Sequence, residues 1–315
     1  MVIGRIVAGA AAAGAVLLFG AAEYFYRKSV SRSDKSFLVG DPDLVSTTSG
    51  VRGNHIAASA AWLAERHPEE WTVRADDGIT LRASYLKADR QTKRLAVLVH
   101  GYSGDGSAMA GYARLYRDKL GFDVLMPDMR GHGRSGGHYI GFGWHDRFDI
   151  IAWTREAIKR LGADCRIVLH GVSMGGSAVL MASGEALPDQ VKCIVSDCAY
   201  SSVKDILAYQ MRRMYRLPAF PLLPLTSFLT RLRAGYSFGE ASALRQTARS
   251  DRPILFIHGG NDTFVPTAMV RQLYEAKRQG PKELLIVPDA GHAVSYDTDP
   301  EAYAEAVARF TERYI

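Results

Sequence analysis

Ser173 is a candidate nucleophile. It lies in the phrase HGVSMGGS, residues 170–177, directly after the apolar run RIVL. Residues 171–175, GVSMG, have the G-x-S-x-G pattern, in which small residues allow a strand and a helix to meet at a sharp turn that exposes the serine hydroxyl. A serine in that position attacks a carbonyl carbon when a base removes its proton. The phrase therefore predicts acyl-transfer chemistry at the amino end of a helix.

The base and the acid that orients it come later in the chain. Asp262 lies in HGGNDTFVP, after one apolar run, and His292 lies in PDAGHAVSY, after the next. Serine, acid, histidine is the order that accompanies a turn of this kind. We therefore predict a triad of Ser173, Asp262 and His292, in which the carboxylate orients the imidazole and the imidazole accepts the serine proton. Asp289 and Asp297 are alternative acids, and Asp262 or His292 taken alone also has a purely structural interpretation.

Such a triad needs two backbone N–H groups that stabilise the oxyanion formed during acyl transfer. One comes from the residue after the nucleophile, which is Met174. The other comes from a loop after an early strand of the sheet. The phrase HGYSGDG, residues 100–106, occupies that place. We therefore predict the backbone N–H groups of Tyr102 and Met174 as the oxyanion hole.

The apolar runs predict the elements that position these residues. Short runs without alternation are typical of strands buried on both faces of a parallel sheet, and they occupy residues 95–101, 123–128, 166–171, 192–197, 254–260 and 283–289. Helical patterns lie between them, at about residues 107–120, 146–162, 174–186, 264–279 and 300–314. This alternation predicts the α/β class, with a mostly parallel, doubly wound sheet flanked by helices. The predicted site residues all follow strands, at the edge where such sheets hold their sites.

The rest of the chain divides into segments around this sheet. We predict a main domain over residues 71–315 and, before it, a lead-in segment with one helix over residues 31–70. Residues 201–250 are too long for a simple crossover and predict a small, mostly helical cap insertion. The apolar, proline-containing stretch 216–233 of the cap either packs on the sheet or lines an acyl pocket. Residues 1–30 form an amino-terminal anchor or signal.

That amino-terminal prediction depends on residues 6–22, which carry no charged side chain and are followed by EYFYRK. As a helix the run reaches about 25 Å, slightly short of the ~30 Å hydrocarbon core of a bilayer. Aromatic and basic residues after it suit the membrane interface. We predict a single-pass membrane anchor, with a cleaved signal peptide and a buried soluble helix as alternatives. The larger number of basic residues after the run favours the cytoplasmic side for the main domain.

Charge and cysteine content exclude other classes. The net charge is +6, but the basic excess is concentrated in residues 1–35 and 201–250, whereas a nucleic-acid-binding protein carries it across its folded body. We therefore expect no nucleic-acid partner. The three cysteines, at positions 165, 193 and 198, match no zinc or disulfide spacing and predict buried thiols. No phosphate-binding loop of P-loop spacing is present, and neither a metal nor an organic cofactor is expected.

Several phrases together resemble the α/β-hydrolase superfamily over about residues 71–315: HGYSGDG, PDMRGHGRSGG, GVSMGG, HGGNDTFVP and AGHAVSY. They are most similar to the branch of serine hydrolases with small helical caps that includes monoacylglycerol lipases and serine-aminopeptidase-like proteins. The resemblance implies the α/β-hydrolase fold, with Ser173 as nucleophile, Asp262 as acid and His292 as base. It gives Arg130 and His132 a structural role only.

The expected activity is hydrolysis of carboxylic esters through an acyl-enzyme, on a small acyl ester or a lipid-like substrate at a membrane. Amide or aminopeptidase activity and thioester cleavage are alternatives, because the same triad performs them. An aminopeptidase usually needs an acidic pocket for the substrate ammonium, and the basic cap offers no obvious one. A catalytically silent binding protein on the same fold is the alternative outside enzymes.

Overall fold

A computed structural model describes the backbone of residues 2–45 and 51–315 and the side chains of residues 14–44 and 56–315. The strands are β1 (Glu69–Arg74), β2 (Thr80–Leu86), β3 (Arg94–Val99), β4 (Asp123–Pro127), β5 (Arg166–Val172), β6 (Val191–Asp197), β7 (Ile254–Gly259) and β8 (Lys282–Val287). The α-helices are α1 (Val2–Phe25), α2 (Pro42–Val45), α3 (Val51–Ala64), α4 (Ala110–Arg114), α5 (Asp146–Leu161), α6 (Met174–Ser183), α7 (Val203–Tyr215), α8 (Leu222–Ala234), α9 (Ala243–Arg249), α10 (Ala268–Ala276), α11 (Ser295–Thr298) and α12 (Pro300–Tyr314).

Within the described residues, these strands form one eight-stranded sheet in the order β1-β2-β4-β3-β5-β6-β7-β8. The β1–β2 and β2–β4 pairs are antiparallel, and every later pair is parallel. All six apolar runs of the sequence are strands of this sheet. The predicted α/β class and doubly wound, mostly parallel sheet are confirmed.

The central strands are buried on both faces. In β3, Leu95, Val97 and Val99 belong to the core on one side of the sheet, and Ala96 and Leu98 belong to the core on the other. Successive side chains of a strand point to opposite faces, so each face needs its own apolar residues. This double burial is why the strand sequences are continuously apolar rather than alternating.

The predicted helix over residues 107–120 is divided. A 3₁₀ turn at Gly106–Met109 precedes α4, and a π-helical turn at Leu115–Lys119 follows it. Asp105 caps the first turn, because its carboxylate accepts a hydrogen bond of 2.9 Å from the backbone N–H of Ser107. The remaining predicted helices correspond to α5, α6, α10 and α12.

The predicted single-pass membrane anchor is not supported. No helix in the described part of the chain is both long enough and apolar enough to cross a membrane. The carboxyl end of α1 instead packs on α8 and α7. Ala22 is fully buried, the Phe25 ring meets the Tyr215 ring edge-to-face at 5.0 Å, and the Glu23 carboxylate lies 2.6 Å from the guanidinium of Arg233. The side chains of residues 6–13, the amino half of the apolar run, lie outside the described part of the structure.

Residues 26–44, which we call the strap, continue from α1 across the carboxyl edge of the sheet. The backbone N–H of Ile140 donates to the carbonyl of Val30 at 2.7 Å, and the N–H of Arg32 donates to the carbonyl of His138 at 2.9 Å. Because the strap follows that edge, it lies over the loops that carry the predicted site residues.

The segment between β6 and β7 holds α7, α8 and α9. Helix α7 begins at a capped turn in which the Ser202 hydroxyl accepts a hydrogen bond from the backbone N–H of Asp205 at 3.1 Å. Helix α8 buries Leu223 and Leu229. It packs against both α7 and α1. The cap is therefore packed between the sheet and the amino-terminal helix α1.

Candidate active site

Ser173 lies at the turn between β5 and α6, with a φ of 57° and a ψ of −117°. A non-glycine residue with positive φ is strained, and such strain concentrates at functional sites. A Cβ atom on Gly171 would lie 2.1 Å from the carbonyl oxygen of Gly175, and one on Gly175 would lie 2.0 Å from the carbonyl oxygen of Val99. The two glycines are therefore required for the strand and the helix to approach, as the G-x-S-x-G pattern predicts.

The structure brings the three predicted triad residues together. Asp262 lies in the loop after β7, and His292 lies in the loop after β8. Nε2 of His292 is 2.9 Å from Oγ of Ser173, and Nδ1 of His292 is 2.8 Å from Oδ2 of Asp262. Both distances are those of good hydrogen bonds. Since an ionised carboxylate only accepts, Nδ1 carries the ring proton and Nε2 is free to accept the serine proton.

The surroundings of Asp262 keep it ionised. Its Oδ1 accepts hydrogen bonds from the backbone N–H groups of Phe264 at 3.0 Å and Val265 at 2.8 Å. Its Oδ2 also lies 3.2 Å from Nε2 of His258. Burial opposes the charge, but the neighbouring His292 and His258 outweigh that effect and hold the pKa of Asp262 well below its usual range. The carboxylate is therefore negative at neutral pH and able to stabilise an imidazolium.

The alternative acids do not occupy this position. Both ring nitrogens of His292 are engaged, by Asp262 and by Ser173. Asp289 is exposed to solvent, and Asp297 lies on α11, where it is partly exposed. The geometry therefore favours Asp262 as the residue that orients the imidazole.

The two predicted oxyanion donors lie beside Ser173. Met174 is the first residue of α6, and the first N–H groups of a helix have no acceptor within it. The loop that carries Tyr102 passes close by, since a Cβ atom on Gly101 would lie 3.5 Å from Cβ of Ser173. The donor roles of Tyr102 and Met174 stay predictions.

Two histidines brace the Tyr102 loop. Nδ1 of His100 lies 2.7 Å from the carbonyl of Gly101, and its Nε2 accepts from the backbone N–H of Met129 at 2.9 Å. Burial, with a contribution from nearby His132, lowers the pKa of His100 to about 4, so this ring is neutral. Nε2 of His132 lies 2.8 Å from the carbonyl of Tyr102. Both rings thus hydrogen-bond to backbone groups of the surrounding loops, which is consistent with a structural role.

Sequence reasoning missed Asp197 at the end of β6, which is fully buried. Its carbonyl accepts the backbone N–H of Ser173 at 2.8 Å, and its Oδ2 accepts the hydroxyl of Tyr303 at 3.0 Å. Burial raises its pKa to about 6, against smaller opposing effects of Tyr303 and His258. The available signal was an aspartate at a strand end next to the serine turn, in KCIVSD.

Cys198, Asp262 and His292 offer potential ligand atoms within 4.8 Å of one another. A metal there would compete with the hydrogen bonds that join Asp262 to His292. Burial raises the pKa of Cys198 well above its usual value, and a protonated thiol is a poor ligand. The donor chemistry therefore favours a proton relay over a metal site.

Ser173 lies where a larger and a smaller cavity of the described chain meet. The larger has a volume of about 1240 Å³ and is lined by His292, Gly101 and both polar and apolar strap residues, such as Arg32 and Leu38. The smaller has a volume of about 90 Å³ and is lined mostly by apolar side chains, including Tyr200 and Met211. A substrate at Ser173 can therefore extend in two directions, one of them much roomier than the other.

The sequence profile described as "Alpha/beta hydrolase family" matches residues 96–306. A Bacillus subtilis relative, uncharacterized protein YqkD, is 33% identical over 231 residues, which cover 72% of this chain and 74% of that protein. A Saccharomyces cerevisiae relative, uncharacterized membrane protein YNL320W, is 24% identical over 229 residues, covering 71% and 73%. Among solved structures, the Pyrococcus furiosus esterase Pf2001 has a TM-score of 0.65 and 24% identity, over 79% of this chain and 94% of the esterase.

Proposed function

Because the chain belongs to the alpha/beta hydrolase family, we propose that it hydrolyses carboxylic esters of small acyl groups through a Ser-His-Asp triad. Its fold is the α/β-hydrolase fold, which its solved structural neighbours share. The observation that carries the proposal is the continuous hydrogen-bonded path from Ser173 through His292 to Asp262. No other arrangement of the described residues around Ser173 offers it a base.

The first half of the reaction forms an acyl-enzyme. Oγ of Ser173 attacks the ester carbonyl carbon while its proton passes to Nε2 of His292, and Asp262 stabilises the resulting imidazolium. The carbonyl oxygen becomes an oxyanion, which accepts hydrogen bonds from the backbone N–H groups of Tyr102 and Met174. The tetrahedral intermediate then collapses, the carbon–oxygen bond to the alcohol breaks, and the alcohol leaves with the proton from Nε2.

The second half releases the acid. A water molecule enters the place of the alcohol and gives a proton to Nε2 of His292 as its oxygen attacks the acyl carbon. The intermediate collapses, Oγ of Ser173 recovers the proton, and the carboxylic acid leaves. Each proton taken up by His292 is returned, so the two-step reaction needs water and no other co-reactant.

The test combines active-site labelling with turnover. The wild-type chain is expected to react with a fluorophosphonate probe and to hydrolyse p-nitrophenyl acetate. Ser173→Ala is expected to abolish labelling and to lower kcat by several orders of magnitude, as removal of a triad nucleophile does. Ser59→Ala is the matched control, because Ser59 lies on α3 and lines neither cavity.

Three outcomes would contradict the proposal. Labelling that persists in Ser173→Ala would place the nucleophile elsewhere. Labelling at Ser173 without ester turnover, together with cleavage of thioesters or aminoacyl amides in the same screen, would assign the triad to one of those reactions. A chain that neither labels nor turns over any of the three substrate classes would be a binding protein.

A further inference from the structure

The proton path gives the two cavities different roles, provided that the proposed esterase function holds. The leaving alcohol receives its proton from Nε2 of His292, so it must lie beside that nitrogen. Among the described residues, His292 lines the larger cavity and does not line the smaller one. The alcohol therefore occupies the larger cavity. The acyl chain, on the other side of the carbonyl carbon, enters the smaller cavity between Ser173 and Met174.

The smaller cavity admits only a short chain. Its volume of about 90 Å³ is about three-fifths that of an apolar cavity of about 150 Å³ that holds one benzene molecule, so it has room for about four carbons. Tyr200 and Phe142 on the sheet side are buried. The other walls include Met211 on α7 and two strap side chains: Phe37, which of the two cavities lines only this one, and Leu38, which lines both. Acyl groups of about two to four carbons fit without displacement of these walls.

The strap wall is fastened on both sides of the site. On one side, the guanidinium of Arg32 donates to the backbone carbonyls of Gly133 at 2.7 Å and Ser135 at 2.8 Å. On the other, Arg213 of the cap donates to both carboxylate oxygens of Asp41, at 3.0 and 2.7 Å. Such a bidentate pair adds geometric precision as well as energy. The strap is therefore held in a fixed position as one wall of the site.

A further bond ties the strap to the loop proposed to hold the oxyanion. The hydroxyl of Tyr102 donates to the carbonyl of Ser29 at 2.7 Å. The Tyr102 ring stacks on Phe142 at 5.2 Å, and both Ser29 and Tyr102 line the smaller cavity. The strap is thus hydrogen-bonded to the residue whose backbone N–H is proposed to stabilise the acyl oxygen.

From these contacts we propose that Phe37 and Leu38 of the strap set the acyl-chain length, and that the substrates are esters of acids with two to four carbons. These residues lie outside the matched family region, residues 96–306. The specificity of this chain therefore comes in part from a segment that precedes the hydrolase domain. Shortening either side chain lengthens the cavity along the acyl direction.

The experiment compares kcat/KM for p-nitrophenyl esters from acetate to decanoate, using the full chain. The wild type is expected to hydrolyse the esters from acetate through butyrate faster than the longer esters. Phe37→Ala and Leu38→Ala are each expected to raise the ratio of octanoate to butyrate turnover by about tenfold or more, since one methylene in an apolar pocket alters discrimination by about 10–200-fold. Phe228→Ala and Leu232→Ala are matched controls, because these α8 side chains are exposed and line neither cavity.

A second readout needs no turnover. The rates at which ethyl, butyl and octyl fluorophosphonates label Ser173 are measured for the same five proteins, and the octyl probe is expected to gain most in the strap variants. If the wild type labels but cleaves no ester, the esterase proposal fails while the labelling rates still test the strap. A wild-type preference for octanoate, or strap variants whose length profile matches the wild type in both readouts, would overturn the inference.

Discussion

Replacing Asp262 with asparagine tests the proton relay more sharply than its removal does. The backbone N–H groups of Phe264 and Val265 both donate to Oδ1, so the amide oxygen of an asparagine must stay there. Its NH₂ group then occupies the position of Oδ2, 2.8 Å from Nδ1 of His292. A donor at that place forces Nδ1 to accept, and the ring proton moves to Nε2. The imidazole can then no longer take the proton of Ser173.

The expected loss is large. The same change in a well-studied Ser-His-Asp triad lowers kcat by about 10⁴, and four decades correspond to about 5.4 kcal/mol of transition-state stabilisation. Asp262→Asn is assayed with p-nitrophenyl acetate and by the rate of fluorophosphonate labelling. Circular dichroism and thermal unfolding accompany the assay, to show that the variant is folded.

Asp289→Asn and Asp297→Asn are the matched controls, because these are the rival acids of the sequence. Both are expected to keep activity within about threefold of the wild type, a change of roughly 0.6 kcal/mol. The reasoning is refuted if Asp262→Asn is folded and keeps more than a tenth of the wild-type kcat. It is also refuted if either control loses more activity than Asp262→Asn does.

Gly175→Ala is expected to lower the free energy of unfolding, measured by urea titration, by about 3 kcal/mol or more. The reason is that the added Cβ would lie 2.0 Å from the carbonyl oxygen of Val99. A loss below about 1 kcal/mol would contradict the packing argument. Asp197 has a folded pKa raised to about 6 by burial, so its stabilising contribution is complete below about pH 3.9 and is lost as the pH rises through about 6. Asp197→Asn should therefore show a smaller fall in Tm between pH 4 and 7 than the wild type, and an equal fall would count against the assignment. The three cysteines are free and buried, so iodoacetamide is expected to alkylate none of them in the native protein at pH 7.5 and all of them in urea, as measured by mass spectrometry.

The strands of the sheet and the loops that bring Ser173, Asp262 and His292 together could be predicted from the sequence. Both features depend on local information. Continuous apolar runs indicate strands that are buried on both faces, and the glycines at 171 and 175 indicate that two backbone segments approach closely. The helix near residues 107–120 could be placed but not its interruptions, because these follow from packing against α3 and β4 rather than from local propensity.

The membrane anchor predicted for the amino-terminal region is not supported by the structure, and the reason is physical. An uncharged run followed by aromatic and basic residues is the pattern of a membrane anchor, and nothing local shows that Glu23 and Phe25 meet Arg233 and Tyr215, about two hundred residues later in the chain. The strap contacts of Arg32 were missed for the same reason. Contacts between distant segments with no periodic pattern of their own become visible only in three dimensions.

The fastening of residues 26–44 across the site has a practical consequence for protein engineering. The residues proposed to cleave the ester lie on loops of the sheet, whereas two of the residues proposed to limit the acyl group lie on the strap, which hydrogen bonds join to those loops and to the cap. We therefore expect an exchange of the first 45 residues between relatives to change which esters are accepted, provided that the bond from Tyr102 to residue 29 is kept. A chain shortened to begin at residue 71 would lose this wall together with buried residues such as Val30 and Trp62, so we expect it to be less stable as well as less selective.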